Sequence, residues 1–184
     1  MNLGLSLSLG SAATRRPPVT RTGDEILYDP TENPLLGNGT VWLPDIEAEW
    51  HAYFAKHPER LRELAPRRFE ELVASIFRNQ GFDVELTPAS RDGGFDVLAI
   101  HKDVFTGESK YLVECKRYAA TNTVGIGIVQ RLLGVVEDQK ATKGLVATTS
   151  YFTRDARLVE ERNRSKLALN DYDVLVGWLL NLNS

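Results

Sequence analysis

The sequence predicts an α/β fold, a three-layer sandwich with a central mixed sheet and helices on both faces, and three observations carry that expectation. Short β-rich runs alternate with stretches of helical period from residue 66 onward. The first runs, from Phe82 to Leu86, from Asp96 to Ile100 and the one carrying Glu114 and Lys116, are close enough in sequence to form a meander, with Thr106-Gly107 as turn chemistry between the second and third. The later runs, over 144–149 and 167–169, are each preceded by an amphipathic helical segment.

Taken in order, residues 1–43 read as an N-terminal arm, partly irregular. Leu3, Leu5, Leu7 and Leu9 alternate with Gly and Ser where a secretory leader would have a basic start and a solid apolar block, so secretion is not expected. Pro17-Pro18, Asp29-Pro30, Asn33-Pro34 and Gly37-Asn38-Gly39 punctuate the rest of the arm. Its isolated apolar residues, Leu35, Leu36 and Trp42 among them, are suited to docking on the same chain or on another subunit. Residues 44–58 read as an accessory helix, with Ile46, Trp50, Tyr53 and Phe54 on one stripe. His51, His57 and His101 have no second ligand cluster beside them and are read as structural or solvent residues.

A helix is expected from Pro66, a residue tolerated in a first turn, to about Asn79, with Gly81 as its stop. Phe69, Leu72, Val73, Ile76 and Phe77 form its buried stripe. At 100° per residue Glu70 lies at the edge of that stripe, whereas Glu71 points to the polar side. Gly93-Gly94 can supply unusual backbone angles just before Asp96. A helical segment is expected from Val124 to about Lys140. Thr153 is a plausible N-cap for a helix over 154–163, and Asn170 or Asp171 caps a last apolar helix.

The chemistry gathers between residues 91 and 118. Strand side chains alternate faces, so Glu114 and Lys116 leave one side of their strand while Val113, Cys115 and Arg117 leave the other. If the two runs pair as antiparallel neighbours, Asp96 comes beside Glu114. Two carboxylates and a lysine at one strand end suit the binding of a hard divalent cation and the placing of a water against a phosphate. The bland alternative is a solvated strand face, and the Glu-x-Lys spacing alone does not distinguish the two.

The wider set of motifs does. Pro66-Arg67-Arg68-Phe69-Glu70-Glu71-Leu72-Val73, Asp92-Gly93-Gly94-Phe95-Asp96 and Glu114-Cys115-Lys116-Arg117-Tyr118 occur with Val129-Gln130-Arg131-Leu132-Leu133-Gly134 and Gly144-Leu145-Val146-Ala147-Thr148-Thr149. In that order they resemble the Mrr-type restriction endonucleases of the PD-(D/E)xK nuclease superfamily, from about Leu61 to the C-terminus. The resemblance implies a restriction-endonuclease-like fold over 59–184 and a metal-dependent DNA endonuclease with a restriction or antiviral defence role. It implies Mg2+ or Mn2+ held by Asp96, Glu114 and the backbone carbonyl of Cys115, with Glu70 and Gln130 facing the site and Lys116 positioning the nucleophile. Many members of the family carry Gln at the position of Glu114; the acid found here strengthens the case for a metal.

The formal net charge of −3 excludes coating of nucleic acid by bulk charge, so DNA contact is expected from a local patch that includes Arg67, Arg68, Arg91, Arg117 and Arg131. Such contacts position a duplex and carry no base information. Cys115 is the one cysteine, so no internal disulfide exists; a core role and a cytoplasmic setting are expected, with no membrane segment. DNA is the expected partner, with a homodimer or higher homo-oligomer and other defence-system subunits as further partners. The alternatives are a non-catalytic nucleic-acid-binding or scaffold subunit of a defence assembly, and a repair or junction-resolving nuclease.

Overall fold

The computed structural model describes residues 44–88 and 93–182. The arm expected over 1–43, with its docking residues, and Arg91 lie outside the described residues.

Five strands form one sheet in the order β1-β2-β3-β4-β5, and sequence order is also spatial order. β1 (Asp83–Leu86), β2 (Val97–Asp103) and β3 (Gly107–Lys116) pair antiparallel, whereas β4 (Lys143–Thr148) and β5 (Leu167–Asn170) continue the sheet in parallel with β3. The parallel steps need crossovers, and helices α3 (Ile126–Asp138) and α4 (Arg154–Arg162) supply them. Helices α1 (Pro44–Lys56), α2 (Pro66–Asn79) and α5 (Tyr172–Leu182) cover the other face. A mixed sheet between two helical layers results, as expected.

Each face of the sheet has its own core. Trp50, Phe54, Phe69, Leu72 and Leu179 meet Val97, Val113 and Cys115 on one side. Val129, Leu132, Val136, Ala156 and Val159 meet Leu112, Val146 and Leu169 on the other. The alternation along β3 therefore sends Cys115 to the first core and Glu114 toward α3.

Local chemistry explains most element ends. α2 spans the expected residues, and Gly81 follows it at φ 85, a backbone angle that suits glycine. Thr153 Oγ1 accepts from Ala156 N at the start of α4. Asp171, not Asn170, begins the last helix: its Oδ1 accepts from Val174 N, while Asn170 ends β5. α3 starts two residues later than the periodicity indicates, because Val124 is held in a bridge with Phe152 and Gly125 takes an extended backbone before the helix. A short 3-10 turn, Pro58–Arg62, links α1 to α2 and has no counterpart in the sequence reading.

Among the histidines, His51 is buried and its Nε2 lies 2.7 Å from Ser75 Oγ, which in turn donates to Leu72 O. His101 stacks near Phe82, and His57 packs on Tyr53. Burial pushes the His51 imidazole down to about 4, so it is neutral in the fold at neutral pH. Between that value and the ordinary 6.5 the unfolded chain binds the extra proton, so this stability is present above 6.5 and is lost as pH falls. Urea denaturation of wild type at a series of pH values is expected to show a decline across that window steeper than in His51→Asn, by up to about 1.4 kcal/mol per pH unit. Parallel curves for the two proteins would contradict the assignment.

Candidate active site

The antiparallel pairing of β2 with β3 sets the geometry. Val97 faces Val113, so Asp96, one residue before β2, falls opposite Glu114, and Asp96 N donates to Val113 O at 2.8 Å. The Asp96 side chain is fixed as well: its Oδ2 accepts from Cys115 N at 2.6 Å. The turn before it depends on Gly94, at φ 75, where an added Cβ would sit 2.7 Å from Val135 Cγ2 of α3. A side chain there would be strained by both backbone and neighbour.

Glu114 is buried, and its Oε1 is 2.6 Å from Lys116 Nζ and 2.6 Å from Arg131 Nη2. The first cation comes from the same strand face and the second from α3. Gln130, which the family resemblance aims at the site, is exposed; Arg131 is the side chain of this helix that reaches Glu114. Helical spacing gives the reason. Arg131 lies one turn before Val135, the residue packed on Gly94, whereas Gln130 shares its stripe with the exposed Gly134. The sequence held no signal for this choice, because the roll of α3 is set by the contact of Val135 with Gly94.

Glu70 approaches from the first turn of α2. Its carboxylate takes Arg67 Nη1 at 2.9 Å, and the same nitrogen donates to Thr87 O, whose residue donates from N to Asp96 O. Glu71 instead pairs with Arg68 at 2.7 Å. The electrostatics follow this arrangement. Burial raises the Asp96 carboxyl above the usual aspartate range, with Glu114 and Glu70 adding to the rise against the Cys115 N–H and Lys116. Burial pulls the Lys116 ammonium down, but the hydrogen bond and charge of Glu114, with Asp96, outweigh it and raise its pKa overall. Burial, with the surrounding carboxylates, pushes the Cys115 thiol well up, so it is an inert core thiol.

The donor chemistry fits a hard divalent cation. Asp96 and Glu114 offer carboxylate oxygens in a crowded acidic corner, and a positive ion there would relieve the repulsion that helps raise Asp96. Among the described residues no three His, Cys, Asp or Glu side chains close on a common point, since Glu114 is drawn to Lys116 and Arg131. Two carboxylates are enough for an ion that keeps most of its waters.

The arginines expected to meet DNA are dispersed in role. Arg67 and Arg68 are engaged by Glu70 and Glu71, and Arg131 by Glu114. Arg117 is turned inward: its Nη1 donates to Arg62 O at 3.3 Å and its Nε is buried, because it leaves β3 on the face covered by the 3-10 turn. That position does not suit a phosphate contact.

A second set of residues was missed in the sequence. Thr148, Thr149 and Ser150 are fully buried at the end of β4. Thr148 Oγ1 donates to Lys116 O at 2.7 Å, and Thr149 Oγ1 both donates to Tyr118 O and accepts from Tyr118 N. These hydroxyls hold the backbone on either side of Arg117, directly after Glu114 and Lys116. Three small polar residues closing an apolar strand were the available signal. Arg62, over the Tyr172 ring at 3.9 Å, donates from Nε to Thr149 O and braces them.

A meander running into parallel strands, with an aspartate, a glutamate and a lysine at one end of β2 and β3, defines a restriction-endonuclease-like nuclease fold. The chain belongs to the Mrr_cat restriction endonuclease family, whose model matches residues 61–179. It is 35% identical over 116 residues to the uncharacterised protein y4cE of Sinorhizobium fredii (63% of this chain, 29% of that protein). It is also 35% identical over 105 residues to the type IV methyl-directed restriction enzyme EcoKMrr of Escherichia coli (54% of this chain, 33% of that protein). Among solved structures it is similar to the DNA modification-dependent restriction endonuclease AspBHI, with a TM-score of 0.57 and 25% identity, covering 76% of this chain and 36% of that one. The chain thus spans about a third of the length of these relatives. Nucleases of the PD-(D/E)xK type typically use a divalent metal. Among the described residues no helix is long and apolar enough to cross a membrane.

The Thr149 contacts yield a stability prediction. Thr149→Val leaves both polar groups of Tyr118 without this partner and is expected to cost about 1–3 kcal/mol by thermal denaturation, whereas Thr149→Ser retains most of the stability. A Thr149→Val variant as stable as wild type, or one that loses no more than Thr149→Ser, would overturn the role given to the hydroxyl.

Proposed function

We propose that this chain is a metal-dependent DNA endonuclease that hydrolyses phosphodiester bonds in restriction or genome defence. The observation that carries the reading is the meeting of Asp96, Glu114 and Lys116 at one end of the β2–β3 pair, within a restriction endonuclease family. In this reading Asp96 and Glu114 hold Mg2+ or Mn2+, the backbone carbonyl of Cys115 adds a neutral oxygen, and Glu70 supports the acidic corner. A divalent ion bound there supplies a Lewis acid for the phosphoryl oxygen and lowers the pKa of a bound water.

The chain's own groups do the rest. Asp96, with Oδ2 fixed by Cys115 N, directs its remaining lone pairs without reorganisation when substrate arrives. Lys116 stays an ammonium, because neighbouring carboxylates raise its pKa. It therefore donates: it orients the attacking water and offsets the negative charge that grows on the phosphate. The relatives include enzymes named for dependence on methylated or modified DNA, and a modified duplex belongs among the first substrates to try.

Plasmid and linear DNA, modified and unmodified, incubated with Mg2+ or Mn2+ and with chelator, test the proposal. Cleavage is expected only with metal, and Asp96→Ala and Lys116→Ala are each expected to lower it at least about 100-fold without loss of fold by circular dichroism. Wild-type activity in either folded variant would remove the chemistry. Glu70→Gln is expected to lower cleavage far more than Glu71→Gln, since Glu70 acts on Asp96 while Glu71 is bound to Arg68. Equal effects would sink the role given to α2.

One site of this kind hydrolyses one strand, so double-strand cleavage requires two, and two-fold association is the usual way to pair them. The proposal therefore includes a homodimer on DNA. Light scattering of the full chain with and without duplex is expected to show the dimer; a monomer that still cuts both strands together would end that part.

A further inference from the structure

The two cations on Glu114 are not equivalent. Lys116 is built in: it follows on the same strand, its side chain is 24% exposed, and its carbonyl is held by Thr148 Oγ1. Arg131 reaches in from α3 with a side chain that is 54% exposed, and its described polar contact is Glu114 Oε1. One carboxylate oxygen thus carries two positive neighbours at 2.6 Å, more charge than it can neutralise.

We propose that Arg131 is a displaceable counter-cation that couples metal loading to DNA binding. The inference rests on the reading of Glu114 as a metal ligand and extends it to a residue outside the Asp96, Glu114 and Lys116 set. A divalent ion approaching Glu114 meets the field of the guanidinium head-on, so ion and arginine compete for the same carboxylate. Arg131 can leave because Lys116 stays on Glu114 and the arriving ion replaces the charge that departs, while water already reaches the exposed arginine side chain. A phosphate of a docked duplex is the natural acceptor for it. The guanidinium fork matches a phosphate in two parallel hydrogen bonds, whereas on Glu114 one nitrogen makes the short contact. DNA that draws Arg131 outward uncovers Glu114, and an ion that takes Glu114 releases Arg131 toward DNA. The coupling is reciprocal by thermodynamic necessity.

Helical phase supports the assignment to this residue. Arg131 sits on the flank of α3 that carries Val135 onto the Gly94 turn, beside Asp96, so a small change of side-chain torsion moves its head between carboxylate and solvent. Gln130, one position earlier, is exposed and forms no comparable contact with Glu114.

Equilibrium binding of Mn2+ to the full chain, followed by the electron paramagnetic resonance signal of free Mn2+, tests the coupling separately from cleavage. Wild type, Arg131→Gln and Glu114→Gln are compared without DNA and with a short duplex of nuclease-resistant phosphorothioate linkages. Without DNA, Arg131→Gln is expected to bind Mn2+ about tenfold more tightly than wild type. The duplex is expected to tighten Mn2+ binding to wild type by about the same factor, and to Arg131→Gln by much less. Equal Mn2+ affinities for wild type and Arg131→Gln without DNA, or equal duplex effects in both, overturn the coupling while binding that Glu114→Gln weakens keeps the metal reading. Mn2+ binding that Glu114→Gln leaves unchanged overturns the metal reading at Glu114 and the coupling with it. Thermal denaturation of each variant confirms that the comparison is between folded proteins.

Discussion

The candidate site depends on a buried carboxylate. Glu114 leaves the sheet toward α3, where it is removed from water, and a charge so placed is costly to bury without partners. Lys116 and Arg131 supply them at 2.6 Å each. Removing both would leave a buried charge without compensation, and the contact with Arg131 adds a polar tie between strand β3 and helix α3 to the packing of Leu132 and Val136. The same need gives the corner its capacity for a cation. A position that stabilises a carboxylate with two positive groups is one where a positive ion can be exchanged for one of them.

Around that carboxylate, the backbone does most of the positioning. Asp96 is held by hydrogen bonds from its N–H to Val113 O and from Cys115 N to its side chain, both consequences of antiparallel register. The strand beyond Lys116 is held by the hydroxyls of Thr148 and Thr149 on the neighbouring parallel strand. Burial first, and the neighbouring Glu114 and Glu70 after it, raise the Asp96 carboxyl here. A site of this kind keeps its geometry because main-chain bonds, which do not titrate, carry the strain.

Much of the fold was legible because the determinants are local. The helix from Pro66 to Asn79 ends at a glycine with a positive φ, Thr153 caps α4, and the Thr106-Gly107 turn closes the β2–β3 hairpin. Asp96 beside Glu114 was also legible, since a hairpin register converts sequence spacing into a contact. The phase of Glu70 against Glu71 followed from 100° per residue. Less legible were the elements whose ends are set by distant partners: Val124 is drawn out of α3 by Phe152, and the 3-10 turn from Pro58 to Arg62 buries Leu61 in the core.

The sequence by itself determined which residues alternate, where helices start and stop, and which carboxylates and lysine share one strand end, because each of these follows from periods of two and 3.6 and from local hydrogen bonding. Tertiary structure alone decided the partners of those groups. Whether Gln130 or Arg131 meets Glu114 depends on how α3 is rolled over the sheet, which the contact of Val135 with Gly94 sets. Whether Arg117 meets solvent or Arg62 depends on a layer more than fifty residues earlier in the chain, and Thr149 reaches Tyr118 only because β4 lies parallel to β3. Long side chains and crossover strands are placed by packing between layers, and no local period contains that information.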